Sequence, residues 1–307
     1  MKIPFLKIKK DDEELNKQLS LSALQFEARR LKIRASRRAG VDLIGQFQTS
    51  FRGTGLTFTE LSEYEPGDDV RSIYWPASAR SGRVYVKRYQ EERSLRILLI
   101  FDISRSMRAT FFSDTSQISK EVAALLCYVA KLSGDAIGLI TFSQDAKLVA
   151  PISRKAHAID QILLNITNAE SEPGVSDLSS ACELALKTLS KRSIVFILSD
   201  FVSQKYSEAL TRLSARHSTH ALYFGNSLDI PTNQGGLTLF RDPESGLLAE
   251  LDIGSQKIKD LVSRRLAEHE ESTRTNINGC GASFTSAGKN AGNTVRALIN
   301  TQSRWRR

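Results

Sequence analysis

"LRILLIFDISRSM", residues 95–107, decides the fold. Apolar residues run without alternation from Ile97 to Phe101, and the run ends in Asp102. A strand buried on both faces reads this way, because neither side of it meets water. Three further segments repeat the pattern: "DAIGLITFS" (135–143), "SIVFILSD" (193–200) and "THALYFG" (219–225). Between and after them lie stretches with helical spacing. "SKEVAALLCYVAKLS" places Val122, Leu125, Leu126, Val129 and Leu132 on one side. "AHAIDQILLNIT" (156–167), "DLSSACELALKTLS" (177–190), "YSEALTRLSARH" (206–217) and "SQKIKDLVSRRLAEHEEST" (255–273) read as helices too. Strands alternating with such helices predict an α/β fold with a mostly parallel sheet covered on both faces.

Upstream the character changes. Residues 12–38 have helical spacing with Leu21, Leu24, Ala28 and Leu31 on one side and basic residues opposite. "GQFQTSFRGTGLTFTELSEY" (45–64) alternates roughly and predicts short antiparallel strands, "EPGDD" (65–69) a tight turn, and "RVYVKRYQ" (83–90) another strand. The Gly- and Ser-rich "NINGCGASFTSAGKNAG" (276–292) reads as a loop, with a short helix "TVRALIN" after it. The expected organisation is a basic helical segment over 1–39, a small β-rich module over 40–93 and an α/β domain over 94–307.

The three cysteines are too few and too scattered for a disulfide framework and have no zinc spacing. No apolar run approaches the ~20 residues that span a bilayer, and no signal peptide is visible, so a cytoplasmic protein is expected. The net charge of +9 is concentrated partly before residue 39 and in "SRWRR" at the end. It fits a solvated basic surface, or attraction to nucleic acid, an anionic lipid surface or an acidic protein face. Few aromatics interleave the basic residues, which disfavours single-stranded nucleic acid.

Ligands of open α/β sheets bind beyond the carboxyl ends of the strands. Asp102, Ser143 and Asp200 stand there; Ser104 and Ser106 follow Asp102, and Ser176 and Asp177 precede a helix. Carboxylates and hydroxyls without sulfur or imidazole form a hard-oxygen set suited to Mg²⁺, with Mn²⁺ or Ca²⁺ as alternatives. Helix capping is the competing use for the serines. Hydrolase or phosphotransferase chemistry has little to work with. The position two residues after Asp102 is a serine, which is no acid–base catalyst at neutral pH, and no G-x-S-x-G or Walker motif is present. The four histidines fall in or beside expected helices, where surface positions are expected.

"DISRSM" after a buried strand, "VSDL" before a helix and "ILSDF" at a later strand end resemble the metal-ion-dependent adhesion site of von Willebrand factor A domains. The resemblance implies Ser104 and Ser106 as direct ligands. It implies Asp102 and Asp200 acting directly or through water, and Ser176 at a position usually held by Thr. Residues 51–93, dense through Gly67–Asp69, Arg71, Trp75, Ala79–Arg80 and Glu92–Arg93, resemble the bacterial domain-of-unknown-function-58 family. That family joins such a segment to a von Willebrand A-like domain. Tyr74 and Pro76 depart from its usual Asp and Asn around the Trp. The resemblance implies a non-catalytic adaptor working with a MoxR-type AAA+ ATPase, with the Asp or Glu carboxylate of a protein partner completing the metal shell. The charged module, with Glu65, Asp68, Asp69, Arg71, Trp75 and Arg80, reads either as a turn and salt-bridge network or as a partner-docking surface.

Overall fold

A computed structural model describes residues 43, 46–47, 56–91, 95–107, 115–168, 176–203, 205–225, 237–241, 248–252, 255–288 and 290–305. The basic helix expected over 12–38 lies outside them.

The apolar runs form a six-stranded sheet. Its members are β3 (Arg96–Asp102), β4 (Ala136–Phe142), β5 (Ala146–Ser153), β6 (Ile194–Ser199), β7 (Ser218–Tyr223) and β10 (Ser283–Ser286), in the order β10-β7-β6-β3-β4-β5. All neighbours are parallel except β5, which runs antiparallel to β4 at the edge. Alternation along β3 feeds two cores. Ile97, Leu99 and Phe101 pack against α2 (Thr115–Ser133), α3 (Ala156–Asn168) and α7 (Ala291–Trp305). Leu98 and Ile100 pack under α4 (Leu178–Thr188), α5 (Ser207–Arg216) and the end of α6 (Gln256–Gly279). This is an α/β architecture: a mostly parallel sheet with helices on both faces.

A separate antiparallel pair, β1 (Leu56–Glu63) and β2 (Tyr85–Glu91), forms the β-rich module. A 3₁₀ turn (Val70–Ser72) and the short helix α1 (Trp75–Ser81) connect the two strands. Pro76 sits in the first turn of α1, where its missing N–H costs nothing, and the Tyr74 ring lies 4.4 Å under Lys87 Nζ. A third small sheet pairs β8 (Leu237–Arg241) with β9 (Leu248–Asp252).

The structure corrects the sequence reading in five places. Leu43, Gln46 and Phe47 are helical, not strand, and Leu43 and Phe47 are buried in the α/β core; their i,i+4 spacing is the reason. The stretch read as a loop after α6 contains β10, whose Phe284 is buried and whose backbone extends the sheet beside β7. Its Gly and Ser content hid a four-residue edge strand. The final helix is longer than "TVRALIN", and β5, with its mostly exposed or half-buried side chains, gave no apolar run to find. His217 and His220 are buried, contrary to the surface positions expected of them; His220 lies in β7, bonded to Ser283 Oγ (2.5 Å) and Ser218 Oγ (3.0 Å).

Gly138 in β4 lies where the pairing with β5 is irregular. A methyl group there would meet the Ala150 carbonyl oxygen and the Ile152 backbone nitrogen at 2.9 Å. Backbone cannot yield as a side chain tip does. Gly138→Ala is therefore expected to cost about 1–3 kcal/mol, read as a shift in the urea unfolding midpoint.

Candidate metal centre

Asp102 closes β3 and Asp200 follows β6, its hydrogen-bonded neighbour, so both stand at the carboxyl edge. The crossover from β3 proceeds through α2 to β4 on one side, while β6 lies on the other. That is a topological switch point, where the loops part and leave a crevice.

The loops there are tied together. Asp102 Oδ1 accepts from Ser104 N (2.8 Å), bending the chain back after the strand. Asp102 Oδ2 accepts from Ser199 Oγ (2.6 Å), which in turn accepts from Phe201 N (2.9 Å). Ser104 and Ser106 hydroxyls lie 2.9 Å apart, and the Ser106 hydroxyl also hydrogen-bonds the Asp200 side chain. The loop before α4 is tied to the chain after β4 and to the loop after β6. Asp177 N donates to the Ser143 carbonyl (2.7 Å), and Ser203 Oγ donates to the Ser176 carbonyl (2.6 Å) while accepting from Leu178 N (3.0 Å). Asp177 caps α4 by accepting from Ser179 N and Ser180 N. It is thus a capping residue, as its position before a helix suggests.

Phe201 has φ 56°, a left-handed backbone that a bulky residue rarely adopts. Burial of its ring, 6.0 Å from that of Tyr206, and its bond to Ser199 hold it there. Such strain recurs where surrounding structure fixes a functional loop.

Asp102 and Asp200 are both buried. Burial, reinforced by the charge of Asp200, pushes the Asp102 carboxyl up to about 7. Burial also raises Asp200, against opposing hydrogen bonds from Ser106 and Val202 and the influence of His269. Ser176 Oγ is buried with no hydrogen-bond partner among the described residues. Two buried acids that resist ionising, two neighbouring hydroxyls and an orphaned hydroxyl are what a hard divalent cation matches. Its charge favours the carboxylates, and the oxygens need a Lewis acid or a proton. The residues therefore fit Mg²⁺. Among the described residues no group of three or more His, Cys, Asp or Glu stands ready for a metal, so a cation would be held by the mixed carboxylate–hydroxyl set alone.

Five predicted ligands thus stand on three loops that hydrogen bonds join. The partners Ser199, Ser203 and Phe201 were missed. Ser199 lies in the quoted "ILSDF", but a serine inside an apolar strand carries no periodic signal.

The module residues have mixed roles. Asp69 caps the 3₁₀ turn by accepting from Arg71 N (2.9 Å), and Asp68 accepts from Glu65 N (3.1 Å). Arg83 pairs with Glu63 at 2.6 Å, but both are exposed, so the pair contributes little. Trp75 is 66% exposed, and Glu65, Arg71 and Arg80 are exposed as well. The acids shape the turn, while Trp75 and the arginines face solvent.

Uncharacterized proteins of Mycobacterium tuberculosis and Mycobacterium bovis are each 26% identical to this chain over 238 residues, covering 76% of it and 75% of the relative. Among solved structures, the conserved hypothetical protein BatB from Bacteroides thetaiotaomicron is similar at 17% identity and a TM-score of 0.47, covering 69% of this chain and 98% of its own. A von Willebrand factor type A protein from Catenulispora acidiphila is similar at 9% identity and a TM-score of 0.41, over 71% of this chain and 43% of its own. The family described as protein of unknown function DUF58 matches residues 60–272, more than half of the chain, and this protein belongs to it.

Proposed function

We propose that the protein is a non-catalytic, metal-dependent protein-binding adaptor. The observation that carries this reading is the pair of buried acids, Asp102 and Asp200, whose loops are joined through Ser199 and Ser106, with the Ser176 loop joined to them through Ser203. Ser104, Ser106, Asp102, Asp200 and Ser176 would hold Mg²⁺, or Mn²⁺ or Ca²⁺ in its place. When bound, the cation supplies a positive charge that takes a carboxylate from a protein partner. The chain's own residues do the rest. Asp102 and Asp200 offset the cation's charge, Ser199 orients Asp102, and the Phe201 turn holds Asp200 at the edge.

Gripping is favoured over reacting by the chemistry present. Ser104 stands where an acid–base catalyst would be needed, and its hydroxyl is engaged with Ser106. His269 Nε2 lies 3.4 Å from the carbonyl oxygen of Asp200, a contact to backbone and not to a nucleophile.

The partner proposed is a MoxR-type AAA+ ATPase, with the adaptor coupling it to client assembly or remodelling. The exposed Trp75, Arg71, Arg80 and Glu65, with the turn made by Asp68 and Asp69, would give a second docking surface. No helix among the described residues is long and apolar enough to cross a membrane. A cytoplasmic location belongs to the same proposal.

Capture of the ATPase by the immobilised chain is expected to require Mg²⁺ and to fall at least tenfold in the Ser104→Ala/Ser106→Ala variant. Trp75→Ala should weaken capture without abolishing the metal dependence. Equal capture with chelator, and by the double variant, would remove the metal from the docking step.

A further inference from the structure

The opposite pole of the sheet carries a second polar cluster. There Ile97 of β3 pairs with Ile194 of β6, and Ile194 pairs with Ser218 of β7. The residues one step earlier, Arg96, Ser193 and His217, are therefore neighbours across three strands. Alternation puts all three on the face that α4, α5 and the end of α6 cover, because Leu98, Val195 and Ala221 lie in that core. His217 keeps an extended backbone (φ −129°, ψ 155°), so the alternation holds through it.

Two of these side chains carry unmatched nitrogens. Arg96 Nε and both ring nitrogens of His217 are buried without a hydrogen-bond partner among the described residues. His217 is only 5% exposed. Native structures rarely leave so many buried nitrogens unmatched in one place. Ser193 between them offers nothing, since its hydroxyl donates to the Lys191 carbonyl (2.9 Å). Asp135 precedes the partner of Arg96 in β4, but alternation directs it to the other face, and its Oδ1 accepts from Leu95 N (2.8 Å).

The surroundings are cationic. Burial lowers the proton affinity of His217, and the charges of Arg216 and Arg192 lower it further, so both guanidinium groups act on this ring. Arg192 and Arg216 are exposed. Arg216 ends α5, where the helix dipole accounts for a cation; Arg96 and Arg192 stand on a strand and a loop, where it does not.

We propose that Arg96 and His217, flanked by Arg192 and Arg216, form a site for a small tetrahedral oxyanion of the phosphate class. Monohydrogen phosphate presents acceptors to Arg96 and to one imidazole N–H of His217. Arg96 Nε and the His217 ring are covered while Arg192 and Arg216 stand in solvent, which suits a compact anion. The source is free phosphate or the phosphate group of a small molecule.

The test uses the full chain, free of divalent metal, at constant ionic strength set with chloride. Inorganic phosphate and adenosine monophosphate are titrated separately, followed by calorimetry and by the His217 ring resonances. Saturable binding is expected. Arg96→Met should weaken it about tenfold or more, the loss of a hydrogen bond to a charged group. Arg192→Ala/Arg216→Ala, with both changes at the surface, should weaken it severalfold without disturbing the core. Equal affinities for the two probes identify free phosphate as the ligand, and tighter binding of the nucleotide identifies a phosphorylated small molecule. The proposal is overturned by the absence of a saturable phosphate signal beyond the chloride control, or by unchanged affinity in the surface double variant.

Discussion

Asp102→Asn is expected to raise the melting temperature of the metal-free protein at pH 8 and to abolish its stabilisation by Mg²⁺. The two effects have one origin. The Asp102 carboxyl moves from an ordinary 3.8 up to about 7 because burial, and then Asp200, oppose its charge. The folded state therefore holds a proton that the unfolded state releases. The stability contribution is full below about pH 4 and is lost as the pH rises through 7. A charge forced on at pH 8 costs on the order of 4 kcal/mol. Asparagine removes the charge, still accepts from Ser104 N and can donate to Ser199 Oγ. Allowing for imperfect hydrogen bonding, the gain is roughly 5 °C or more for a domain of this size. In the wild type, Mg²⁺ at about 100-fold over its dissociation constant should return about 2.7 kcal/mol. The variant should show no such gain. A variant less stable than the wild type at pH 8 without metal would mean that the carboxylate is already compensated by the protein.

Phe47→Ala is expected to cost about 3–5 kcal/mol. Phe47 is fully buried, and its ring centroid lies 6.3 Å from that of Phe196, which in turn stacks 5.5 Å from His220. The side chain therefore anchors the segment before the β module into the α/β core. A chemical denaturation curve would show a lower midpoint with an unchanged slope. Leu61→Ala, on the exposed face of β1, should change stability by less than about 0.5 kcal/mol. If the two substitutions cost the same, Phe47 belongs to the module and not to the core.

The interior strands were legible because burial on both faces demands unbroken apolar runs, as in Ile97–Phe101 and Ile194–Leu198. The placement of the candidate site's loops was legible because those runs end in Asp or Ser at the same edge. Edge strands were not. β5 is largely exposed or half-buried, and β10 is four residues rich in Ser and Thr; each is held by backbone pairing that its side chains do not announce. Long-range polar contacts were equally silent. Ser199 meets Asp102 across 97 positions and Ser203 meets Ser176 across 27, and no local spacing encodes either. His220 shows the same limit: its two serine partners flank it in space, one of them on a strand 63 residues away.

Binding of Mn²⁺ to the full chain, followed by loss of its free-ion paramagnetic resonance signal, tests the metal centre most directly. One saturable Mn²⁺ per chain is expected, displaced by excess Mg²⁺, lost in Asp102→Asn and in Asp200→Asn, and retained in His217→Gln at the far pole. A free-ion signal that falls no further than in buffer at millimolar Mn²⁺, or that falls equally in the two aspartate variants, contradicts it.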